Sequence, residues 1–204
     1  MYPAILEKSI EYFKKFPGVG EKTAERMALF VVDLELNEVR EFSQTMKVSK
    51  ETLKACAICG HLTDEEECCI CINKMRKDNL ICVVEDFRSV FVFEKTGNFE
   101  GKYHVLNGLI SPIEKIGPDD INIHSLYERC KKIEGPIELI IALKPTIEGD
   151  ATTLYIKKIF EKLSDKSTSL TISRLSYGIP MGAEIDYIDT VTLGRALQDR
   201  KTIS

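Results

Sequence analysis

The sequence of 204 residues contains no tryptophan, only three histidines and no long uninterrupted run of apolar residues. A membrane-spanning helix would need about 18 or more consecutive apolar residues, so none is expected. Residues 1–15 alternate charged and apolar side chains instead of placing a charged head before an apolar run. We therefore expect neither a membrane anchor nor a secretory signal, and we predict a cytoplasmic protein.

An excess of basic charge is also missing. The chain has 28 Lys and Arg residues against 32 Asp and Glu residues, for a net charge of −4, which excludes a basic protein that coats nucleic acid. Any contact with DNA would be confined to a local patch. Residues 1–55 contain nine basic and nine acidic residues, so this stretch is neutral and the remainder is acidic.

The sequence is that of an ordinary globular protein, with 44% hydrophobic and 29% charged residues. Up to about residue 54, apolar residues recur at helical spacing, which predicts amphipathic helices. Residues 56–78 are rich in cysteine and poor in apolar periodicity, which predicts a structure held by something other than an apolar core. A glycine-rich turn from Tyr177 and a helix near residues 192–199 are predicted in the tail.

From Leu80 onward, short apolar runs alternate with helical stretches. The pattern predicts strands over 80–84, 103–106, 137–143 and 170–175, and helices over 86–95, 119–133 and 151–163. Apolar strands that alternate with helices predict an α/β domain, with a mostly parallel sheet covered on both faces.

Cysteines are the most informative residues of the composition. Five of the seven lie between residues 56 and 71, which is not the distribution of a disulfide framework. Two C-x2-C pairs are separated by eight residues: Cys56, Cys59, Cys68 and Cys71. Four thiolates at this spacing close a tetrahedral site with no open position, which predicts structural Zn²⁺. An iron–sulfur cluster and a redox dithiol remain the alternatives.

The other three cysteines are not expected to bind metal. Only one residue separates Cys69 from Cys71, so Cys69 is predicted to be a spare thiol. Cys82 falls in an apolar strand and Cys130 in a helix, where we expect packed thiols without chemistry.

The stretch Phe16-Pro-Gly-Val-Gly20 separates two predicted helices, because proline cannot continue a helix and glycine permits a tight turn. The second helix carries Lys22 and Arg26, one turn apart on one face. This is the pattern of a helix-hairpin-helix DNA-binding motif, in which backbone N–H groups approach phosphates. Binding should therefore be independent of DNA sequence and sensitive to salt.

The candidate DNA-binding residues form a set around this hairpin: Gly18, Gly20, Lys22, Arg26, Lys14 and Lys15. The alternative interpretation is a simple corner between two helices with solvated lysines.

Acidic residues follow two of the predicted strands. Glu85 comes directly after the strand over 80–84, and Glu148 and Asp150 follow the strand over 137–143. The carboxyl ends of parallel strands meet at the edge where α/β domains bind ligands. Such carboxylates could hold Mg²⁺ for phosphoryl-transfer chemistry. Alternatively, they are loop residues and helix caps, favoured by the dipole of a helix that opens at Ala151.

The order of these motifs resembles the bacterial RecR family of recombination mediators. Two further stretches carry the resemblance, Ile81-Cys-Val-Val-Glu85 and Pro145-Thr-Ile-Glu-Gly149, together with the tail from Tyr177. The resemblance covers almost the whole chain. It implies a helix-hairpin-helix domain over 1–55, a four-cysteine zinc finger over 56–78, a Toprim domain over 79–175 and a C-terminal segment over 176–204.

The resemblance also makes the acidic cluster interpretable. Toprim enzymes use a strand-end Glu as general acid and base and a D-x-D motif to hold Mg²⁺. Glu85 matches the Glu, but Lys144 and Thr146 stand at the D-x-D positions, and an ammonium repels Mg²⁺. The resemblance therefore implies no enzymatic activity and a degenerate site, Glu85, Glu148 and Asp150, that is kept for binding partners or weak binding of metal.

As partners, the resemblance implies RecO, RecF and single- or double-stranded DNA. It also implies a ring-like homo-oligomer, a tetramer built from dimers, that encircles DNA and helps to load the recombinase RecA onto single-stranded DNA at gaps. The main alternative is an enzyme, a Toprim-type nuclease or primase-like phosphotransferase, which Lys144 disfavours. A helix-hairpin-helix glycosylase is disfavoured by the C-x2-C spacing and by the lack of a larger helical body for a base-flipping pocket.

Overall fold

A computed structural model describes residues 1–161, 169–176, 178–200 and 202. The chain forms two compact units, Met1–Leu53 and Lys54–Ser204. The predicted helix end at Leu163 and the first residue of the glycine-rich turn, Tyr177, lie outside the described residues.

The first unit consists of three helices, as the apolar spacing predicts. They are α1 (Ala4–Phe13), α2 (Glu21–Asp33) and α3 (Leu36–Thr52). Helices α1 and α2 pack around a small core of Ile10, Ala24 and Ala28. Helix α3 has no buried residue.

The second unit is built on a sheet of four parallel strands, preceded by a short antiparallel pair, β1 (Lys54–Ala55) and β2 (Leu62–Thr63). The strands of the sheet are β3 (Lys77–Val84), β4 (Gly101–Val105), β5 (Ile137–Ala142) and β6 (Leu170–Arg174). Their order is β4-β3-β5-β6, so β4 and β6 are the edges. At the carboxyl end, Val84 of β3 lies opposite Ala142 of β5.

Both faces of the sheet are covered. The helices of this unit are α4 (Cys69–Ile72), α5 (Phe87–Glu94), α6 (Ile123–Cys130), α7 (Ile147–Phe160) and α8 (Thr190–Gln198). One core joins the sheet to α6 and α7, and a second joins it to α5 and the cysteine segment. The predicted α/β fold is confirmed. Among the described helices, none combines the length and the apolar character that crossing a membrane requires.

The structure differs most from the sequence pattern at three places. Helix α6 begins at Ile123 rather than at residue 119. Helix α7 begins at Ile147 instead of Ala151, because the Thr146 side chain accepts the Gly149 N–H at 3.2 Å and caps the helix early. The cysteine segment does share an apolar core, in which its four paired cysteines pack with residues of β3, α5 and β4.

Candidate functional site

The hairpin between α1 and α2 is a tight turn. The carbonyl of Phe16 accepts the N–H of Val19 at 3.1 Å, and Pro17 and Gly18 form the corner. Gly18 has a φ of 78°, in the left-handed region. Proline followed by a residue of positive φ is the arrangement of a type II turn, which requires glycine at the second position. The fold of the hairpin therefore accounts for Gly18.

Gly20 has no such explanation within the chain. Its φ of −87° suits any residue, and an added Cβ would meet nothing within 4 Å. Gly20 is the N-cap of α2, and its carbonyl accepts the Ala24 N–H at 2.9 Å. In the part of the chain that the structure describes, the N–H groups of Glu21, Lys22 and Thr23 have no acceptor. Open space beside three unpaired N–H groups at a helix N-terminus suits an anion such as a phosphate.

Lys22 and Arg26 lie one turn apart on α2, as the sequence predicts, and both are exposed. Among the described residues, neither has an ion-pair or hydrogen-bond partner for its side chain. Two positive charges one helical turn apart thus stand free beside the open N-terminus of the helix.

Lys14 and Lys15 are in a different situation. The ammonium of Lys14 lies between the carboxylates of Glu21 and Glu11, at 2.8 and 2.9 Å, and hydrogen bonds with Glu21 and then Glu11 raise its pKa. The ammonium of Lys15 stands over the ring of Tyr12, 4.7 Å from its centroid. Phosphate would have to compete with two carboxylates for Lys14.

The two C-x2-C pairs form a cluster. Their four sulfur atoms lie within 4.8 Å of one another, and all four residues are buried: Cys56, Cys59, Cys68 and Cys71. The sulfurs of Cys59 and Cys68 are 3.6 Å apart. Sulfurs about 2.3 Å from a tetrahedral zinc ion would be about 3.8 Å apart. The donor set and its spacing therefore fit a closed four-thiolate metal site.

Hydrogen bonds to sulfur support the same assignment. The N–H of His61 points to the sulfur of Cys59 at 3.5 Å, and the N–H of Cys68 points to that of Cys56 at 3.2 Å. Interaction among the buried thiols lowers the pKa of Cys68 and raises the pKa of Cys59 and of Cys71. A thiolate is the form that ligates a metal, and the two N–H groups directed at sulfur stabilise that form.

The remaining cysteines lie where the sequence predicts. Cys69 is exposed, whereas Cys82 and Cys130 are buried. Burial raises the pKa of Cys82 and of Cys130 to about 12. Thiols of this kind stay protonated and inert.

The candidate site of Glu85, Glu148 and Asp150 lies at the carboxyl ends of the two inner strands, β3 and β5. Glu85 follows β3 and Lys144 lies beyond β5, at the point where the strand order reverses, which is the usual ligand position of such sheets. The Lys144 ammonium is 3.0 Å from Oε1 of Glu85. Oε2 of Glu85 is buried and has no hydrogen-bond partner among the described residues. The chain thus supplies its own cation to this carboxylate.

The other two acidic residues lie in the first turn of α7 rather than in a loop. Oδ2 of Asp150 is 3.4 Å from the guanidinium of Arg195 in α8. Gly149 between them is required, because an added Cβ would lie 1.9 Å from the carbonyl oxygen of Lys144. Within the described ranges the cysteine cluster alone groups three or more metal-ligating side chains, so the carboxylates of Glu85, Glu148 and Asp150 do not form one such group.

Two partners of these residues are not identified by the sequence pattern. Arg195 is 45 residues from Asp150, and no spacing rule connects them. Glu21 could have been found, since the hairpin brings the first turn of α2 beside the last turn of α1 and hence beside Lys14.

Known proteins resemble this chain along its whole length. Residues 6–49 match the family model described as "RecR, helix-hairpin-helix", residues 79–176 match a Toprim domain, and residues 178–201 match "RecR, C-terminal". The chain is 42% identical over 202 residues to the Recombination protein RecR of Natranaerobius thermophilus. That match covers 99% of this chain and 98% of the relative.

Proposed function

The chain belongs to the RecR family of recombination proteins, and on this premise we propose that it is a DNA-binding mediator of recombinational repair. It acts in the cytoplasm with RecO and RecF and helps to load the recombinase RecA onto single-stranded DNA at gaps. The chain is a recombination protein and not an enzyme, and its Toprim domain is non-catalytic.

One observation carries the DNA-binding proposal: the open N-terminus of α2, where three N–H groups lack acceptors in the described structure and an added Cβ on Gly20 would meet nothing within 4 Å. A phosphate of the DNA backbone binds there, and Gly20 leaves room for its approach. Lys22 and Arg26 add free positive charge on the same helix. Because these contacts involve phosphates, single- and double-stranded DNA both bind, without sequence preference.

The other candidate residues have supporting roles in this proposal. Gly18 shapes the turn, and Lys14 and Lys15 enlarge the basic patch. Since Lys14 already contacts two carboxylates, we assign it a smaller share of the affinity than Lys22 or Arg26.

Exposed apolar residues support the proposal of a homo-oligomer. On α3, Val39, Phe42 and Met46 recur at helical spacing, and the Phe42 and Met46 side chains are 51% and 45% exposed. The C-terminal segment also exposes Tyr187 and Val191. We propose that these surfaces join copies into a ring-like tetramer, built from dimers, around DNA. Four weak phosphate sites in one ring then act together.

The cysteine cluster is proposed to hold Zn²⁺, because four thiolates suit zinc and leave no coordination position for a substrate. The role of the ion is structural, as in small metal-stabilised domains.

The edge at Glu85, Glu148 and Asp150 is proposed as a docking site for RecO or RecF. The ion pair of Glu85 with Lys144 supports binding of a partner over binding of Mg²⁺, since the ammonium occupies the position beside the carboxylate that a metal would need.

The DNA-binding proposal is tested with the double variant Lys22→Ala and Arg26→Ala. Both side chains are exposed, so the thermal melt and the oligomeric state should not change. DNA affinity should fall about tenfold or more, and the slope of log affinity against log salt should decrease by about one for each lost phosphate contact.

A matched control removes one arginine and one lysine of the same unit, Arg40→Ala with Lys47→Ala, which lie on the face of α3 opposite Phe42 and Met46. This control should retain DNA binding, measured by fluorescence anisotropy at several salt concentrations. Equal retention of DNA by both double variants would remove the assigned site.

A further inference from the structure

Strand β4 is an edge of the sheet, yet its outward-facing carbonyls are all occupied. The carbonyl of Gly101 accepts a hydrogen bond from Arg76 at 3.1 Å, and that of Tyr103 accepts one from Arg129 at 2.6 Å. The carbonyl of Val105 accepts one from the Asn122 side chain at 3.1 Å. An edge strand with occupied carbonyls is closed to further strand pairing.

The two metal-binding pairs contact this same strand. The N–H of Val105 donates to the carbonyl of Cys59 at 2.7 Å. The ammonium of Lys102, a residue only 8% exposed, donates to the carbonyl of Cys71 at 2.7 Å. One cysteine from each C-x2-C pair is therefore hydrogen-bonded to β4 through its own backbone.

Packing reinforces these bonds. The four paired cysteines belong to one buried cluster with Tyr103 and Val105 of β4 and with Val84 of β3. The backbone of the cysteine segment also approaches β4 closely, because a Cβ on Gly60 would lie 3.1 Å from the carbonyl oxygen of Val105. The Lys102 ammonium also pairs with Asp78 of β3. The cysteine segment is thus joined to the sheet by backbone, side-chain and apolar contacts.

We propose that the four-cysteine centre is a clamp on edge strand β4. When the four sulfurs close on a metal ion, the carbonyls of Cys59 and Cys71 become fixed, and β4 is held through Val105 and Lys102. This inference rests on the proposed metal site, but it gives the ion a more specific role, because the ion then secures the edge of the Toprim sheet rather than a finger that folds alone.

Backbone hydrogen bonds also connect the clamped strand β4 to the candidate site at the carboxyl ends of β3 and β5. Immediately after β4, the N–H of Leu106 donates to the Val84 carbonyl at 2.9 Å, and the N–H of Gly108 donates to the Glu85 carbonyl at 3.3 Å. A strand that is held in place therefore also holds the backbone that carries Glu85.

The first experiment begins with a measurement of the metal content of the whole chain. Amide hydrogen exchange is then compared between the protein with Zn²⁺ bound and the protein from which a chelator has removed the ion. Amides over residues 101–108 should exchange at least about tenfold faster without metal. Amides of β6 and of α1–α2 serve as internal controls and should change much less. Removal of the metal without faster exchange over 101–108 would overturn the clamp.

The second experiment decides the matter if metal removal unfolds the whole second unit. Coupling is reciprocal, so a weaker contact with β4 must weaken metal binding. Lys102→Met keeps the length of the side chain but loses the bond to the Cys71 carbonyl, and we expect Zn²⁺ affinity to fall about fivefold or more. The matched control is Lys132→Met, because Lys132 lines the same surface cavity but is exposed.

Competition with a chromophoric chelator measures the affinity of both variants. Equal affinity in Lys102→Met and Lys132→Met would overturn the clamp while leaving the metal site intact. A purified protein that binds no metal would instead refute the proposed metal site and, with it, the clamp.

Discussion

The two compact units differ in how much apolar surface they bury by themselves. The first unit has a core of three buried residues, Ile10, Ala24 and Ala28, and its longest helix buries none. The second encloses one apolar core on each face of its sheet. A unit with so small a core gains little stability from burial. The proposed DNA contacts on α2 and the proposed assembly surface on α3 thus both lie in the unit that buries less apolar surface within the chain.

The largest effect is expected in the second unit, from the loss of one cysteine of the four-cysteine cluster. Cys68→Ser removes one of four buried ligands, so metal binding should fail and stability should fall by at least about 5 kcal/mol, or about 10–20 °C in the melting temperature. The neighbouring Cys69→Ser is the control, because Cys69 is exposed. Differential scanning calorimetry with metal analysis measures both variants, and similar melting temperatures would contradict the metal assignment.

A smaller effect is expected on the stability of the second unit, which should depend on pH through a buried histidine. All three histidines lie in the second unit, and burial lowers the pKa of His104 from 6.5 to about 4. The unfolded chain takes up this proton near pH 6.5 and the folded chain only near pH 4. Stability is therefore complete above pH 6.5 and decreases as the pH falls toward 4, by about 3 kcal/mol in total.

Chemical denaturation between pH 7.5 and 4.5 checks this expectation. His104→Gln should flatten the pH dependence of the second unit. An unchanged slope in that variant would show that other groups are responsible.

The assembly surface on α3 is tested by Phe42→Ser. Burial of a phenylalanine side chain contributes about 1.5–3 kcal/mol, so dissociation of the oligomer should become at least about tenfold easier. The melt of the monomer should change little, since the Phe42 side chain is half exposed in the single chain. Gln44→Ser on the opposite face of α3 is the control. Sedimentation at several concentrations measures the change, and an oligomer that is equally stable in both variants would place the interface elsewhere.

The smallest expected effect separates fold from binding within the hairpin. Gly20→Ala adds a methyl group that meets nothing in the chain, but alanine is a weaker N-cap than glycine, so the stability should fall by about 1 kcal/mol or less. If a phosphate approaches there, DNA affinity should fall about tenfold, which is about 1.4 kcal/mol. Gly194→Ala, at an equally open position of α8, should leave DNA binding unchanged. Full affinity in the Gly20 variant would mean that the phosphate lies elsewhere.

Much of the second unit follows from sequence because its strands form continuous apolar runs, and Ile81, Cys82, Val83 and Val84 of β3 are all buried, as in a strand covered on both faces. The strand at residues 137–143 and the parallel sheet are examples. The early start of α7 was not predictable from the same signals, because Gly149 in a first turn looks like a loop residue. Only the close approach of the Lys144 carbonyl explains that glycine.

Local spacing also identifies the cysteine cluster and the hairpin, since each is formed by residues close in sequence. The remaining site contacts connect distant positions. Lys144 and Glu85 are 59 residues apart, and although the resemblance to Toprim domains places both at one site, their ion pair follows only from the adjacency of β3 and β5. The bonds of Cys59 and Cys71 to β4 are made by backbone carbonyls, which have no signature in the sequence.

Cys69 has a practical use that follows from its position. Of the seven cysteines it alone is exposed, and the other six are buried. A maleimide dye should therefore attach once per chain, at the native thiol and without any substitution. Because the label would lie beside a residue of the metal cluster and on the segment that contacts β4, its emission offers an optical signal for loss of the ion in real time.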